Sequence, residues 1–329
     1  MENTQNKEEL TENIKVDRPI KCKNDDLFNR SFVAENLNSM IQSYKEDDSI
    51  VFGIIGGWGS GKTSFINMVL EDFKDDENFI IINFNPWNIS TRKQLISDFF
   101  TKLSAEIGRT NSSEQYQKLS DGLKALSYTF KPLKFIPGLD VFASIASEVS
   151  GNISDALQKT AEMTEKNLDT TKEEINNAIK KIDKKIIIVI DDLDRLADTD
   201  IQEIFQLVRS IADFKNTMYI LAYDNEIVTK ALDKIQKDKG ERYIEKIVQV
   251  PLKLPKVDLE NLRNIFIEKL NGINIKHRIL DDGNFIAEVK KNNFINIFNS
   301  VRDIERFLNT FKIEINAVKQ ELYLYDFAV

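Results

Sequence analysis

The sequence predicts an α/β fold built on a parallel sheet, with a helical insertion and a C-terminal helical lid domain. Three observations predict it. Five short apolar runs alternate with stretches of helical periodicity, the pattern of βαβ units. The first run, Ile50–Ile55, leads into Gly56-Gly57-Trp58-Gly59-Ser60-Gly61-Lys62-Thr63 and then into a helical pattern. That loop fits G-x-x-x-x-G-K-[ST], the phosphate-cradling P-loop, in the strand–loop–helix setting the motif requires. The strongest run, Ile186-Ile187-Ile188-Val189-Ile190, ends in Asp191-Asp192. The sheet is therefore expected to be the core of a P-loop NTPase.

Taken in order, residues 1–16 are polar and expected to be frayed, and 17–255 form the core. A turn-like Asp17-Arg18-Pro19 precedes a helix around Phe32–Leu37, then the first strand and its loop. Glu71–Asn78 is an acidic connection to a second strand, Phe79–Phe84, which stops at Asn85-Pro86-Trp87. Leu95, Ile96, Phe99, Phe100 and Leu103 recur at helical spacing. Residues 109–183 read as a helical insertion, ending in a long charged helix over about 152–182 with one packing stripe. A continuous aliphatic run such as 186–190 fits a central strand covered on both faces. A helix is expected over 201–211, a fourth strand over 218–223, and a fifth over Lys246–Val250, stopped by Pro251. Residues 256–329 read as helical. The apolar ending Leu322–Val329 suggests a truncated product or one module of a longer protein.

Composition narrows the function classes. Lys and Arg number 45 against 53 Asp and Glu, a net charge of −8 that disfavours nucleic acid or anionic lipid as the main partner. A single cysteine, Cys22, cannot form an internal disulfide and points to a reducing cytoplasm. A single histidine, His277, excludes a His-rich metal site and a Ser-His-Asp triad. No signal peptide is visible after Met1. The stretch Leu133–Ser150 is apolar, but Asp140 near a bilayer centre would cost about 2.5–3.5 kcal/mol. It is read as an amphipathic helix or hairpin rather than a span.

The chemistry concentrates in two motifs. Gly56, Gly59 and Gly61 let backbone N–H groups crowd around phosphate, and Gly57, Trp58 and Ser60 of the same loop are further nucleotide-binding candidates. Lys62 reaches the β and γ phosphates, Thr63 ligates Mg²⁺, and Ser64 continues the first helical turn, whose dipole favours the anion. Asp191 holds Mg²⁺, directly or through water, and Asp192 orients or deprotonates an attacking water. Asp194 competes for a polar role. Asp224 either feels the γ phosphate through water or closes a turn. Arg195 either pairs within its own domain or reaches a neighbour's nucleotide. Arg302 and Arg306 lie one turn apart and either approach the phosphates from a lid or pair with Asp303 and Glu305. Trp58 and Trp87 are more readily packing groups than base-stacking ones. No N-K-x-D motif follows the acidic strand, which favours ATP over GTP. Asn29-Arg30 precedes the first strand, where a base pocket is expected.

Together these pieces resemble the KAP-type P-loop NTPases of the additional-strand group. The resemblance is carried by Asp17–Ile20, Asp26–Arg30, Gly56–Thr63, Phe84-Asn85-Pro86-Trp87, Ile190–Arg195, Tyr243–Gln249 and Val301–Asn309. It covers most of the chain except 109–183, where several members carry transmembrane helices and this chain is too polar to do so. It implies an ATP-driven switch acting through oligomerisation or a protein partner, in bacteria often linked to phage exclusion. A non-hydrolysing nucleotide-dependent scaffold and, less favoured, a small-molecule kinase are the competing readings.

Overall fold

The computed structural model describes residues 18–88, 95–130, 155–236, 239–271 and 297–317. The expected frayed terminus at 1–16 and the apolar stretch at 133–150 lie outside them. Among the described residues no helix is long and apolar enough to cross a membrane. The chain divides into two compact units, one of 31–57 with 62–254, the other of 1–30, 58–61 and 255–329.

The larger unit is an α/β core. Its strands are β1 (Ile50–Ile55), β2 (Phe79–Phe84), β3 (Lys185–Ile190), β4 (Thr217–Tyr223) and β5 (Val250–Lys253). They pair in parallel in the order β2-β3-β4-β1-β5. β4 thus sits between the glycine-loop strand and the acidic strand, so an additional strand separates the two motifs. Every residue of β4, and β3 from Ile186 onward, is buried, as a strand covered on both faces must be. β2, at one edge, alternates buried and more open positions instead.

The expected fifth strand at 246–250 is shifted. Residues 246–249 form the turn that closes helix α8 (Gly240–Glu245), with Ile247 and Val248 N–H groups both donating to Ile244 O. The strand is Val250–Lys253 and includes Pro251, which pairs with Gly53. The apolar Ile247-Val248 pair imitated a strand because it is buried, Val248 against the bare backbone of Gly53. Proline does not stop β5 because an outer strand can leave one N–H out of the ladder.

Helices α3 (Leu95–Thr110), α4 (Glu114–Phe130) and α5 (Asp155–Ile182) connect β2 to β3. Their apolar faces belong to the same core as the sheet. Phe84 meets Phe99 edge-on at 5.1 Å, and Phe100 meets both Phe130 and Phe214. On α5, Leu168, Ile175, Ala178 and Ile179 form the buried stripe at helical spacing. Close helix approach is secured by small residues. Ser104 and Ser120 exchange hydrogen bonds, and Gly122 makes room for Ile175.

The helix expected over 201–211 is two pieces. An α-helix, α6 (Asp198–Gln206), runs into a π-helical turn, Leu207–Ile211. The wider turn keeps Leu207, Val208 and Ile211 all buried while Arg209 emerges, its guanidinium 5.3 Å over the Tyr243 ring. Helix α7 (Asn225–Gln236) follows β4. Ahead of β1 lies α1 (Ser31–Ser43), which buries Ala34, Leu37 and Ile41. Behind the glycine loop lies α2 (Lys62–Val69).

The smaller unit has its own core. Helices α9 (Leu259–Asn271) and α10 (Val301–Ala317) bury Leu262, Phe266, Leu270, Ile304, Leu308 and Phe311, and Phe28 packs against them. Ser300 begins α10, its hydroxyl accepting the Asp303 N–H, and Lys269 pairs with Glu305.

Candidate nucleotide site

The glycine loop leaves the sheet at the carboxyl end of β1, where open α/β sheets place ligands. Gly56 N–H is tied to Tyr223 O at the end of β4, 3.1 Å away. Gly59 and Gly61 have φ of 73° and 87°, a region L side chains avoid, so the loop conformation requires glycine there. Helix α2 starts at Lys62, and the first turn of a helix offers backbone N–H donors to an anion.

In the α/β unit the structure brings together Gly57, Lys62, Thr63, Asp191, Asp192 and Asp224. Thr63 Oγ1 donates to Asp191 Oδ2 at 2.6 Å across a sequence separation of 128. Asp191 Oδ1 accepts the Asp192 N–H at 2.7 Å. Burial raises the Asp191 pKa, while the Thr63 hydroxyl and the Asp192 N–H pull it back. A hydroxyl and a carboxylate converging in this way fit Mg²⁺, which takes one or two protein oxygens and completes its shell with phosphate and water. Among the described residues no group of three or more His, Cys, Asp or Glu could hold a metal by itself.

Asp192 sits in the left-handed region at φ 61°. Both of its carboxylate oxygens are held, Oδ2 by Asn85 Nδ2 and Oδ1 by Arg195 Nε, each at 2.8 Å. Asn85 is itself oriented, its Oδ1 accepting the Trp87 N–H. Of the two readings left open for Arg195, the contact within its own unit is present. Asp224 Oδ1 accepts the Glu226 N–H at the start of α7, while Oδ2 would stand 3.5 Å from a Cβ placed on Gly57. It closes a turn and faces the loop at once. Lys62 Nζ reaches Gly56 O, Gly57 O and Asp194 Oδ2. Ser64 is half-buried on the first turn of α2.

The remaining candidates belong to the smaller unit. Arg30, expected near a base pocket, is buried, and its guanidinium donates to Ser60 O and Pro255 O over the ring of Phe28. Its donors brace backbone. Ser60 Oγ is buried without a hydrogen-bond partner. Trp58 is 63% exposed and Trp87 47%, so neither is the packing group the sequence suggested. The Arg302 guanidinium lies 5.5 Å over the Trp58 ring. Arg306 is exposed on the next turn. The acids expected to pair with these arginines have other partners, Glu305 with Lys269 and Asp303 with the Asn299 N–H. Asn85 was not foreseen as a site residue. Its signal was its position at the carboxyl end of β2, beside the acidic strand.

These features define a P-loop NTPase of the additional-strand type. The KAP family P-loop domain matches residues 30–317, and the chain belongs to that family. It is 28% identical over 274 residues to the phage T7 exclusion protein of Escherichia coli K12, covering 78% of this chain and 37% of that protein. It is 22% identical over 211 residues to an uncharacterized ATP-binding protein of Methanocaldococcus jannaschii, covering 60% and 50%. The chain thus spans half or less of the length of these relatives. Among solved structures, Cdc6p of Pyrobaculum aerophilum is similar at 13% identity and a TM-score of 0.40, covering 75% of this chain and 51% of that one. That likeness is too distant to carry an argument.

Proposed function

We propose that the chain binds ATP with Mg²⁺ and hydrolyses it as a molecular switch. The observation that carries the reading is the Thr63–Asp191 hydrogen bond, which joins the glycine loop to the acidic strand end. Gly57, Gly59 and Gly61 admit the phosphates, Lys62 contacts them, and Thr63 with Asp191 would hold Mg²⁺, which supplies charge neutralisation when bound. Asp192 is assigned the attacking water. The relative named for phage T7 exclusion supports a role in phage defence; a cytoplasmic location and action through self-assembly or a protein partner belong to the same proposal.

A second reading, a nucleotide-dependent scaffold that does not hydrolyse, is favoured by one observation. Both oxygens of Asp192 already accept one hydrogen bond, from Asn85 and Arg195, which leaves the carboxylate fewer lone pairs for an attacking water. Sizing the protein with and without ATP·Mg²⁺ while following phosphate release separates the two. The switch releases phosphate and changes its size or shape with the nucleotide. The scaffold changes without release, and a protein that does neither contradicts both.

A further inference from the structure

Lys62 is fully engaged by the protein. An ammonium has three N–H donors, and three acceptors surround it: Gly56 O at 2.9 Å, Gly57 O at 3.3 Å and Asp194 Oδ2 at 3.1 Å. The two charged side chains are only 9% and 4% exposed. The other oxygen of Asp194, Oδ1, is buried with no hydrogen-bond partner. Asp194 is carried by the turn Leu193–Arg195, whose Leu193 is fully buried. Its carboxylate is therefore fixed in place, and among the described residues Lys62 is its one ion-pair partner.

We propose that Asp194 is a positioning residue that competes with the triphosphate for Lys62, setting how strongly the loop grips its nucleotide. The inference rests on the nucleotide-binding reading above. To contact a phosphate, Lys62 must surrender at least one acceptor, and the carboxylate is the one a phosphate oxygen replaces in kind. Surrendering it leaves Asp194 buried with neither oxygen paired, and a buried charge stripped of its partner is costly. That cost is set against nucleotide affinity. The pair thus holds the lysine extended at the loop and yields it only to a ligand with enough negative charge to outbid a carboxylate.

The test uses Asp194→Asn, which keeps the shape, and Asp194→Ser, which does not, each alone and combined with Lys62→Ala. A fluorescent ATP analogue is titrated into each folded protein, with EDTA and with Mg²⁺. Asp194→Asn should bind roughly tenfold tighter, the factor for losing one charge-assisted competitor. The gain should vanish in the Lys62→Ala background, which a merely structural role would not produce. Asp194→Asn should also melt lower than wild type without nucleotide and gain more from ATP. Unchanged or weaker binding in either folded variant overturns the proposal, as does a gain that persists without Lys62. Wild-type protein that binds no ATP overturns the nucleotide reading as well. Wild-type binding with an unmoved Asp194→Asn overturns this inference alone.

Discussion

Two buried side chains report on the core without touching the site chemistry. Glu203 lies on α6 near Asp200 and Asp98, and burial first, then those acids, push its pKa up to about 8. The folded protein therefore holds a proton there between about pH 4.5 and 8 that the unfolded chain releases. Stability falls as pH rises through that window. Glu203→Gln should flatten the fall, worth a few kcal/mol in order of magnitude, in melts recorded from pH 5 to 9. An unchanged slope would show that Glu203 is charged in the fold. Tyr223 has its hydroxyl buried without a partner, and burial raises its pKa. Removing an unsatisfied buried group recovers a desolvation cost of about 1–3 kcal/mol, so Tyr223→Phe should melt at or above wild type. A clear loss of stability would mean that the hydroxyl has a partner.

Helix α8 and the turn after it depend on bare backbone. A Cβ on Gly240 would stand 2.5 Å from Thr229 O and 2.9 Å from Asp233 N, both main-chain atoms that cannot move aside. Gly240→Ala should cost about 1–3 kcal/mol as overpacking, seen as a lower melting temperature with unchanged nucleotide chemistry. This region is also where the sequence misled. Strands β1 to β4 were legible because each is one short, predominantly apolar run of aliphatic and aromatic residues. β5 was not, because buried Ile247 and Val248 look like a strand while the true strand carries Pro251. The π-helical turn after α6 was hidden for a related reason. Periodicity averages over eleven residues and cannot see one inserted residue. The glycine loop and the acid pair were legible because each is a local motif. Asn85 on Asp192 and Asp194 on Lys62 were not, since both contacts exist only once the parallel sheet has set the strand ends side by side.

Taken together, the loop, the acidic strand end and the family membership support the proposal that the folded chain binds nucleotide. A ligand that binds only the native state stabilises it by about 2.7 kcal/mol at a hundred times its Kd. ATP·Mg²⁺ should therefore raise the melting temperature by several degrees, and Lys62→Ala should abolish most of the rise. A rise that survives Lys62→Ala would place the nucleotide elsewhere. Hydrolysis requires more than binding, because Asp192 must act on water with the lone pairs that Asn85 and Arg195 leave open. The decisive comparison is phosphate release under single-turnover conditions by wild type and Asp192→Asn, with ATP affinity measured on the same samples. An ATPase built on this site should release phosphate, and the variant should keep its affinity while losing about 10²-fold or more in rate. Wild-type protein that binds ATP yet releases no phosphate, or a variant that releases it as fast as wild type, would contradict the account.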